Sequence, residues 1–342
     1  MSGDNFEALR GDENKKILSW EERIAAVRGE EWLEENFQRR LAEVCARYPE
    51  MAENIKRSLE TPQLGPYHNE GLKMISHLKL ILAVLEDIKD GKFHESIDPE
   101  LAREMREAVA SEDPNRPGQS VVNQFFIDYT FFHDIAKPDC MSLRFEGEKG
   151  AKAITWQEWL EIEKGGQPYK FGGKVIKSIG YYHPGLTKKD SGKKHGNAAA
   201  DMVRQKGVRL PPKMSMAIRK HEIAYQFESA NVDTYERNFA ERGLGGDQWL
   251  SVFIASYSDT MASLKDDGQP NMDHFKNFLN ARKNYVLLQE MTKNITDNAV
   301  LNSHALFNLR KANKVLTRED VEIALAEARV QAAAEAVEPQ PK

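Results

Sequence analysis

The sequence has only two cysteines, Cys45 and Cys140, and it contains no Cys-x-x-Cys pair. Two cysteines cannot build the disulfide framework of a small secreted domain, and this favours a reducing compartment. No run of about 18 apolar residues is present, and the opening stretch MSGDNFEALRGDENKK lacks the apolar core of a signal peptide. These absences predict a cytoplasmic protein that does not enter a membrane.

A strong charge imbalance is also missing, because 48 basic residues face 53 acidic residues and leave a net charge of −5. This excludes a globally basic protein that binds nucleic acid or membranes, although a local basic surface stays open. The 342 residues suffice for one large domain or for two ordinary ones. Neither internal repeats nor sustained strand-like alternation occur, so we predict an all-α protein.

Changes in composition divide the chain into a core region with helical extensions. Pro138 is followed by a stretch that is rich in glycine and lysine and carries one convincing helix. Its apolar residues are too few for a core of its own, so we interpret it as a lid-like insertion. The predicted parts are an N-terminal helical extension (1–59), a core domain (60–270) with its insertion (138–194), a C-terminal helical region (271–335) and a disordered tail (336–342).

Three predicted helices matter most for the argument. The segment from Leu72 to Ile88 places apolar residues at helical spacing, which indicates an amphipathic helix. The segment from Val121 to Ala136 is apolar on nearly all sides and predicts a central, buried helix. In the insertion, TWQEWLEIE has Thr155 as N-cap and Glu158 at the capping-box position.

Six histidine and aspartate residues lie in apolar or helical segments and could ligate a metal. They are His77, His133, Asp134, His195, His221 and Asp259. The His133–Asp134 pair falls in the last turn of the central helix, because Pro138 disfavours a helical conformation at Lys137. There the negative end of the helix dipole favours a cation. Asp259 lies inside an apolar helix, where an unpaired carboxylate would be costly.

Each of these residues also has an ordinary structural interpretation. His77 alone fits a hydrogen-bonded core histidine, the His133–Asp134 pair fits a helix cap, and Asp259 fits an ion pair with an arginine. His195 alone fits a surface residue, and His221 fits a cation at a helix C-terminus. These interpretations weaken jointly, because they would have to coincide in the order His, His-Asp, His, His, Asp.

That order resembles the HD-domain superfamily of metal-dependent phosphohydrolases, in which a His, a His-Asp pair and a distant Asp surround one ion. The matching residues are His77, His133, Asp134 and Asp259. A closer likeness is to the HD domain of bacterial CCA-adding tRNA nucleotidyltransferases, over residues 60 to 265. It includes the turn His68-Asn69-Glu70-Gly71, the segment HDIAKP and the helix opening HGNAAADMV.

The nucleotidyltransferase head of those enzymes is missing, since no Gly-Ser followed by an Asp-x-Asp strand occurs. The resemblance therefore implies a free-standing, all-α HD hydrolase. Its expected substrate is a nucleotide, a cyclic phosphate, another phosphorylated small molecule or an RNA end. The residues Ile135-Ala136-Lys137 replace the acidic pair of the stringent-response hydrolases, which disfavours their substrate. No membrane partner is expected, and the terminal helices are candidates for homo-oligomer contacts.

The resemblance also implies chemical roles. Ligation by imidazoles and carboxylates suits Mn, Fe, Ni, Co or Mg, and such an ion acidifies a bound water for attack on phosphorus. Lys137 is predicted to bind substrate phosphate and to assist catalysis. Glu70 is predicted to carry a proton or to orient a ligand histidine. Weaker phosphate-binding candidates are Arg144, Lys194 and His68.

The additional histidines His195 and His221 leave both the ion count and the reaction open. Some HD proteins use two such histidines to hold a second ion, and Asp134 would then bridge the pair. The same six-residue set occurs in mixed-valent di-iron oxygenases of this fold, such as those resembling myo-inositol oxygenase, and Lys137 does not separate the classes. The turn at His68 favours phosphate chemistry. A third alternative is a degenerate HD module with a binding or regulatory role.

Overall fold

A computed structural model describes residues 29–65, 71–114, 116–181, 195–239, 247–265 and 268–337. In these ranges the helices are α1 (Glu30–Arg47), α2 (Ala52–Leu59), α3 (Met74–Lys89), α4 (Pro99–Val109), α5 (Gln124–Phe132), α6 (Trp156–Lys164), α7 (His195–Gln205), α8 (Pro212–Lys220), α9 (Val232–Asn238), α10 (Asp247–Ala262), α11 (Met272–Thr292), α12 (Asn298–Leu301), α13 (His304–Arg310) and α14 (Arg318–Val337). Short 3₁₀ helices cover Pro49–Met51, Lys137–Asp139 and His221–Gln226.

Two small antiparallel sheets accompany the helices. Their strands are β1 (Ala110–Asp113) and β2 (Arg116–Val122), then β3 (Met141–Phe145), β4 (Lys152–Ala153), β5 (Lys170–Phe171) and β6 (Lys174–Tyr181). The first two strands form a hairpin, and the other four form a sheet in the order β4-β3-β6-β5. The described chain is therefore mostly helical, as predicted, but it is not purely α-helical.

The strands escaped prediction because they are short and irregular. Both longer pairings contain a shift in register, at Glu112/Asp113 and at Arg144/Phe145. Such bulges interrupt the alternation of inward and outward side chains that identifies a strand in a sequence.

Three apolar helices form the centre of the molecule. Helix α5 is buried on all sides from Phe126 to Phe132, which confirms a central, buried helix, although Val121 and Val122 belong to β2 and the helix ends at Phe132. Helices α3 and α10 pack against each other, and α3 also packs against α5. Helix α8 also packs against α10 and contacts α5. The ends and inner faces of these helices therefore surround one buried region.

The insertion is folded onto this core. Thr155 and Glu158 form the predicted capping box at the start of α6. Trp159 of α6 and the strand residues Leu143 and Ile179 belong to the same apolar cluster as the central helices. The sheet therefore packs against the domain by burying apolar side chains, which is the main driving force for such packing. Its last predicted residues, 182–194, lie outside the described residues.

The C-terminal helices have an apolar cluster of their own. Leu288 of α11, Leu306 of α13 and Val321 of α14 pack together with Val232 of α9. The predicted helical region after residue 270 is thus four helices separated by turns, and its last helix reaches Val337. Residues 338–342 of the predicted tail, and residues 1–28, lie outside the described ranges. Among the described helices, none is both long and apolar enough to span a membrane.

Candidate metal centre

The six metal-capable residues come together in the buried region between the central helices. Each is at most 5% exposed: His77, His133, Asp134, His195, His221 and Asp259. They arrive from distant parts of the chain, since His77 on α3 contacts Asp259 on α10, 182 residues further along. His195 is therefore buried and is not the surface residue that its sequence context also allowed.

Two of the histidines occupy the same local position. His133 is the C-cap of α5, and His221 is the C-cap of α8. In each, Nδ1 lies within hydrogen-bond distance of the carbonyl three residues earlier, 2.9 Å from Thr130 O and 2.8 Å from Ile218 O. The last carbonyls of a helix lack intrahelical partners, so they are available to fix an imidazole ring.

The other two histidines use their Nδ1 atoms in the same way. His77 Nδ1 lies 3.3 Å from Ala262 O, and His195 Nδ1 lies 3.4 Å from Tyr181 O. A carbonyl only accepts hydrogen bonds, so each of these contacts needs a proton on Nδ1. In a neutral ring this leaves the lone pair on Nε2, which is the atom that would then bind a metal.

A first group of ligand atoms lies around Asp259. Its Oδ1 is 3.2 Å from His77 Nε2 and 3.9 Å from His133 Nε2. His133 Nε2 is in turn 3.1 Å from Asp134 Oδ2. Two ligands of one ion, each about 2.1 Å from it, stand roughly 3.0–3.4 Å apart at angles of 90–110°. We call these four residues the first ligand group. Two of the three separations fall in this range, and His77, His133 and Asp134 lie close enough together to hold one ion.

A second group lies on the other side of Asp134. Its Oδ1 is 3.0 Å from His195 Nε2 and 3.6 Å from His221 Nε2, and the two histidine atoms are 3.1 Å apart. This triangle of two imidazoles and one carboxylate, the second ligand group, matches one face of an octahedral ion. Asp134 turns one oxygen toward each group, as a bridging carboxylate would.

Several of these buried atoms lack ordinary partners. Among the described residues, neither oxygen of Asp134 has a hydrogen bond of acceptable geometry. Nε2 of His133 lacks one as well. Lys137 Nζ lies 2.7 Å from Asp134 Oδ2, so the carboxylate has an ion pair but no well-directed hydrogen bond. Buried polar atoms of this kind are rare and costly, unless something outside the chain satisfies them. The donor set therefore fits a metal ion.

Both carboxylates are held in the ionised form. Burial would raise the pKa of Asp134, but the neighbouring His133 ring and the Lys137 ammonium outweigh burial and hold the pKa of this carboxyl well below its ordinary value. For Asp259, burial is likewise outweighed by the neighbouring His77 ring, and the pKa of this carboxyl falls below its ordinary value. Ionised carboxylates beside imidazole nitrogens are ready to accept a divalent cation.

The two histidines of the second group differ in their protonation. Burial lowers the pKa of His221 to about 4, so its ring is neutral near pH 7 and is not a helix-end cation. Burial also acts on His195, but the carboxylates of Glu222 and Asp134 outweigh it and raise the pKa. A proton and a metal ion therefore compete for His195 Nε2.

The predicted substrate-binding residues have different outcomes. Lys137 is buried, and Asp134 beside it raises the pKa of its ammonium despite the cost of burial. Arg144 is exposed on β3 instead of being buried with the cluster. His68, Glu70 and Lys194 lie outside the described residues.

Two residues near the centre were not identified from the sequence. Glu222 is 30% exposed, and its Oε1 lies 3.9 Å from His195 Nε2. Its position directly after His221 was an available signal. Tyr181 contacts His195 through a backbone carbonyl, which leaves no mark in a sequence.

Comparisons with family models, with curated proteins and with solved structures return no match for this chain. The resemblance to HD-domain proteins therefore continues to depend on the residues themselves. Their geometry defines a buried group of four histidines and two aspartates that could hold metal ions.

Proposed function

We propose that the protein is a metal-dependent phosphohydrolase of the HD type, with two divalent ions bridged by Asp134. The observation that supports this most directly is the orientation of Asp134. Its Oδ1 faces His195 and His221, while its Oδ2 faces His133. A carboxylate shared in this way holds two ions close together, which suits displacement at phosphorus.

The charge of the centre favours an anionic substrate once ions are bound. The six ligands carry two negative charges, and Lys137 adds one positive charge. Two divalent ions would bring this set to +3, in a buried region where charges interact strongly. The sequence adds Lys193 and Lys194 directly before His195. A phosphate ester of a nucleotide, a cyclic phosphate or an RNA end fits this charge.

Hydrolysis forms a bond from a water oxygen to phosphorus and breaks the ester P–O bond, while the leaving oxygen takes a proton. When bound, the ions supply positive charge that polarises the phosphoryl group and acidifies water. Asp134 and Asp259 would hold the ions, and the Nδ1 contacts keep the imidazoles oriented. Lys137, beside Asp134, meets the charge that develops on the phosphoryl oxygens. Glu222, whose Oε1 lies 3.9 Å from His195 Nε2, would be the carboxylate that accepts a proton from the water.

One observation also favours a second candidate, a mixed-valent di-iron oxygenase. The triangle of Asp134, His195 and His221 has the composition of the two-histidine, one-carboxylate face of iron oxygenases. The same chain could therefore use iron and oxygen on a small polar substrate. The phosphohydrolase remains our first proposal because the turn His68-Asn69-Glu70-Gly71 favours phosphate chemistry.

A combined metal and substrate assay distinguishes these functions. The purified chain is analysed for bound metals and then supplied with Mn²⁺, Co²⁺ or Mg²⁺ and a panel of 2′,3′-cyclic nucleotides, nucleoside monophosphates and a generic phosphodiester. We expect two ions per chain and release of a phosphate product. Two irons with oxygen uptake and no phosphate release would favour the oxygenase. A chain without metal and without turnover would favour a binding or regulatory module.

A further inference from the structure

Tyr181 connects the insertion to the metal centre at three points. It is the last residue of β6 and is only 8% exposed. Its carbonyl accepts the hydrogen bond from His195 Nδ1, and its ring lies 4.9 Å from Lys137 Nζ. Its hydroxyl donates a hydrogen bond to Pro62 O. One side chain and its backbone thus contact three segments of the centre.

The contact with Lys137 is reinforced by the sheet. Met141, the first residue of β3, pairs with Tyr181, and Ser142 pairs with Gly180. Strand β3 begins soon after Asp134 and Lys137, so this pairing fixes the end of β6 against the His-Asp turn. A Lys ammonium over an aromatic ring gains further stabilisation when the pair is desolvated, as it is here.

The hydroxyl contact reaches the segment that leads into α3. Pro62 forms a bridge with Lys73, and Met74 N donates to Thr61 O. Both contacts join this segment to the first residues of the helix that carries His77. The hydroxyl of Tyr181 therefore links the two ligand groups through a short path.

We propose that Tyr181 is a positioning residue that holds His195 for the second ion, and that the insertion is thereby a structural part of the metal centre. This inference rests on the proposed two-ion centre. A strand that delivers the partner of a ligand histidine must stay in place during turnover. On this proposal, β6 would be a fixed part of the centre and not a moving part of the predicted lid. Removing outer partners of metal ligands commonly lowers metal affinity about 10–100-fold.

The test compares Mn²⁺ binding to the metal-free full chain for Tyr181→Phe and Tyr181→Leu by calorimetric titration, with thermal unfolding as a check on folding. Both variants keep the carbonyl that bonds His195, so they test the side chain. Tyr181→Phe keeps the ring and loses only the bond to Pro62, so binding of the second ion should weaken little. Tyr181→Leu also loses the ring that lies against His195 and Lys137, so the second ion should bind about tenfold more weakly. The first ion should lose less affinity than the second in both variants, because Tyr181 bonds directly to His195, which belongs to the second ligand group.

The matched control is Ile179→Val, on the same face of β6 and opposite Leu143. It should lower the unfolding temperature slightly and leave both affinities unchanged. Equal weakening of both ions in the Tyr181 variants would mean a general structural role and would overturn the proposal. Unchanged binding in Tyr181→Phe and Tyr181→Leu would overturn it as well. If the unaltered chain bound only one ion, the two-ion centre itself would be wrong, and this inference would fall with it.

Discussion

Two buried aspartates six positions apart differ in what surrounds them. Asp128 on α5 is 4% exposed, and Asp134 just beyond the same helix is 2% exposed. Asp128 accepts hydrogen bonds from Arg47, Tyr48 and Gln124, at 2.7–2.9 Å. Asp134 has an ion pair with Lys137 and imidazole nitrogens nearby, but neither oxygen accepts a well-directed hydrogen bond from a described residue.

The comparison separates a structural carboxylate from a ligand. At Asp128 the protein supplies donors, and burial still raises the pKa above its ordinary value. At Asp134 the surrounding histidines engage Nδ1 with carbonyls and turn Nε2 toward the carboxylate. In a neutral ring that Nε2 carries a lone pair, which would repel the carboxylate unless a cation lay between them. Burial alone therefore does not mark a functional aspartate, whereas the mismatch between neighbouring acceptors does.

The largest expected effect tests this contrast directly, with the same substitution at both sites. Asp134→Asn removes the bridging charge, so we expect binding of both ions to fall by at least about 100-fold, together with activity. Asp128→Asn should bind two ions with unchanged affinity. Metal analysis and Mn²⁺ titration of both variants provide the measurement. Retained metal in Asp134→Asn, or lost metal in Asp128→Asn, would contradict the distinction.

The ligand residues could be predicted from the sequence for the same physical reason. Polar residues such as His77 and Asp259 stand in strongly apolar helices, where burial without a partner is costly, and the structure brings them together. The sequence did not show whether the ligands form one group or two, because this depends on which oxygen of Asp134 faces which histidine. That is a property of side-chain packing between distant helices.

The structure of the insertion was harder to predict from the sequence. Its sheet depends on the pairing of Leu143 with Ile179, two residues far apart in the chain, and short strands carry little local signal. Tyr181 contacts His195 through its backbone carbonyl, a group that every residue has and that no sequence pattern marks. Only the capping box of Thr155 and Glu158, a local interaction, could be predicted there and is confirmed.

A smaller effect is expected at Gly196, where α7 meets α8 next to His221 of the second ligand group. A Cβ on Gly196 would lie 2.6 Å from Ile218 O and 3.1 Å from His221 Cε1. Gly196→Ala must therefore displace the carbonyl that orients His221. We expect a loss of about 1–3 kcal/mol in the free energy of unfolding and weaker binding of the second ion. Urea unfolding and Mn²⁺ titration measure the two effects.

The control for this substitution is Gly165→Ala at the end of α6. Its Cβ would lie 3.3 Å from Ile162 O, away from the metal centre, so a small relaxation is enough. Binding of both ions should be unaffected. If Gly196→Ala bound the second ion as tightly as the unaltered chain does, close packing at this point would not matter for His221.

The smallest expected effect concerns protons at the second ligand group. Glu222 is the main group that raises the pKa of His195 against the effect of burial. A metal binds the neutral ring, so affinity for the second ion falls as the pH falls through the pKa of His195. Glu222→Gln removes the raising charge and lowers that pKa. We therefore expect the midpoint of second-ion binding to move to lower pH, measured as Mn²⁺ affinity between about pH 5 and 8. The exposed Glu107→Gln should leave the midpoint in place, and a shift to higher pH in Glu222→Gln would show that Glu222 acts mainly as a ligand.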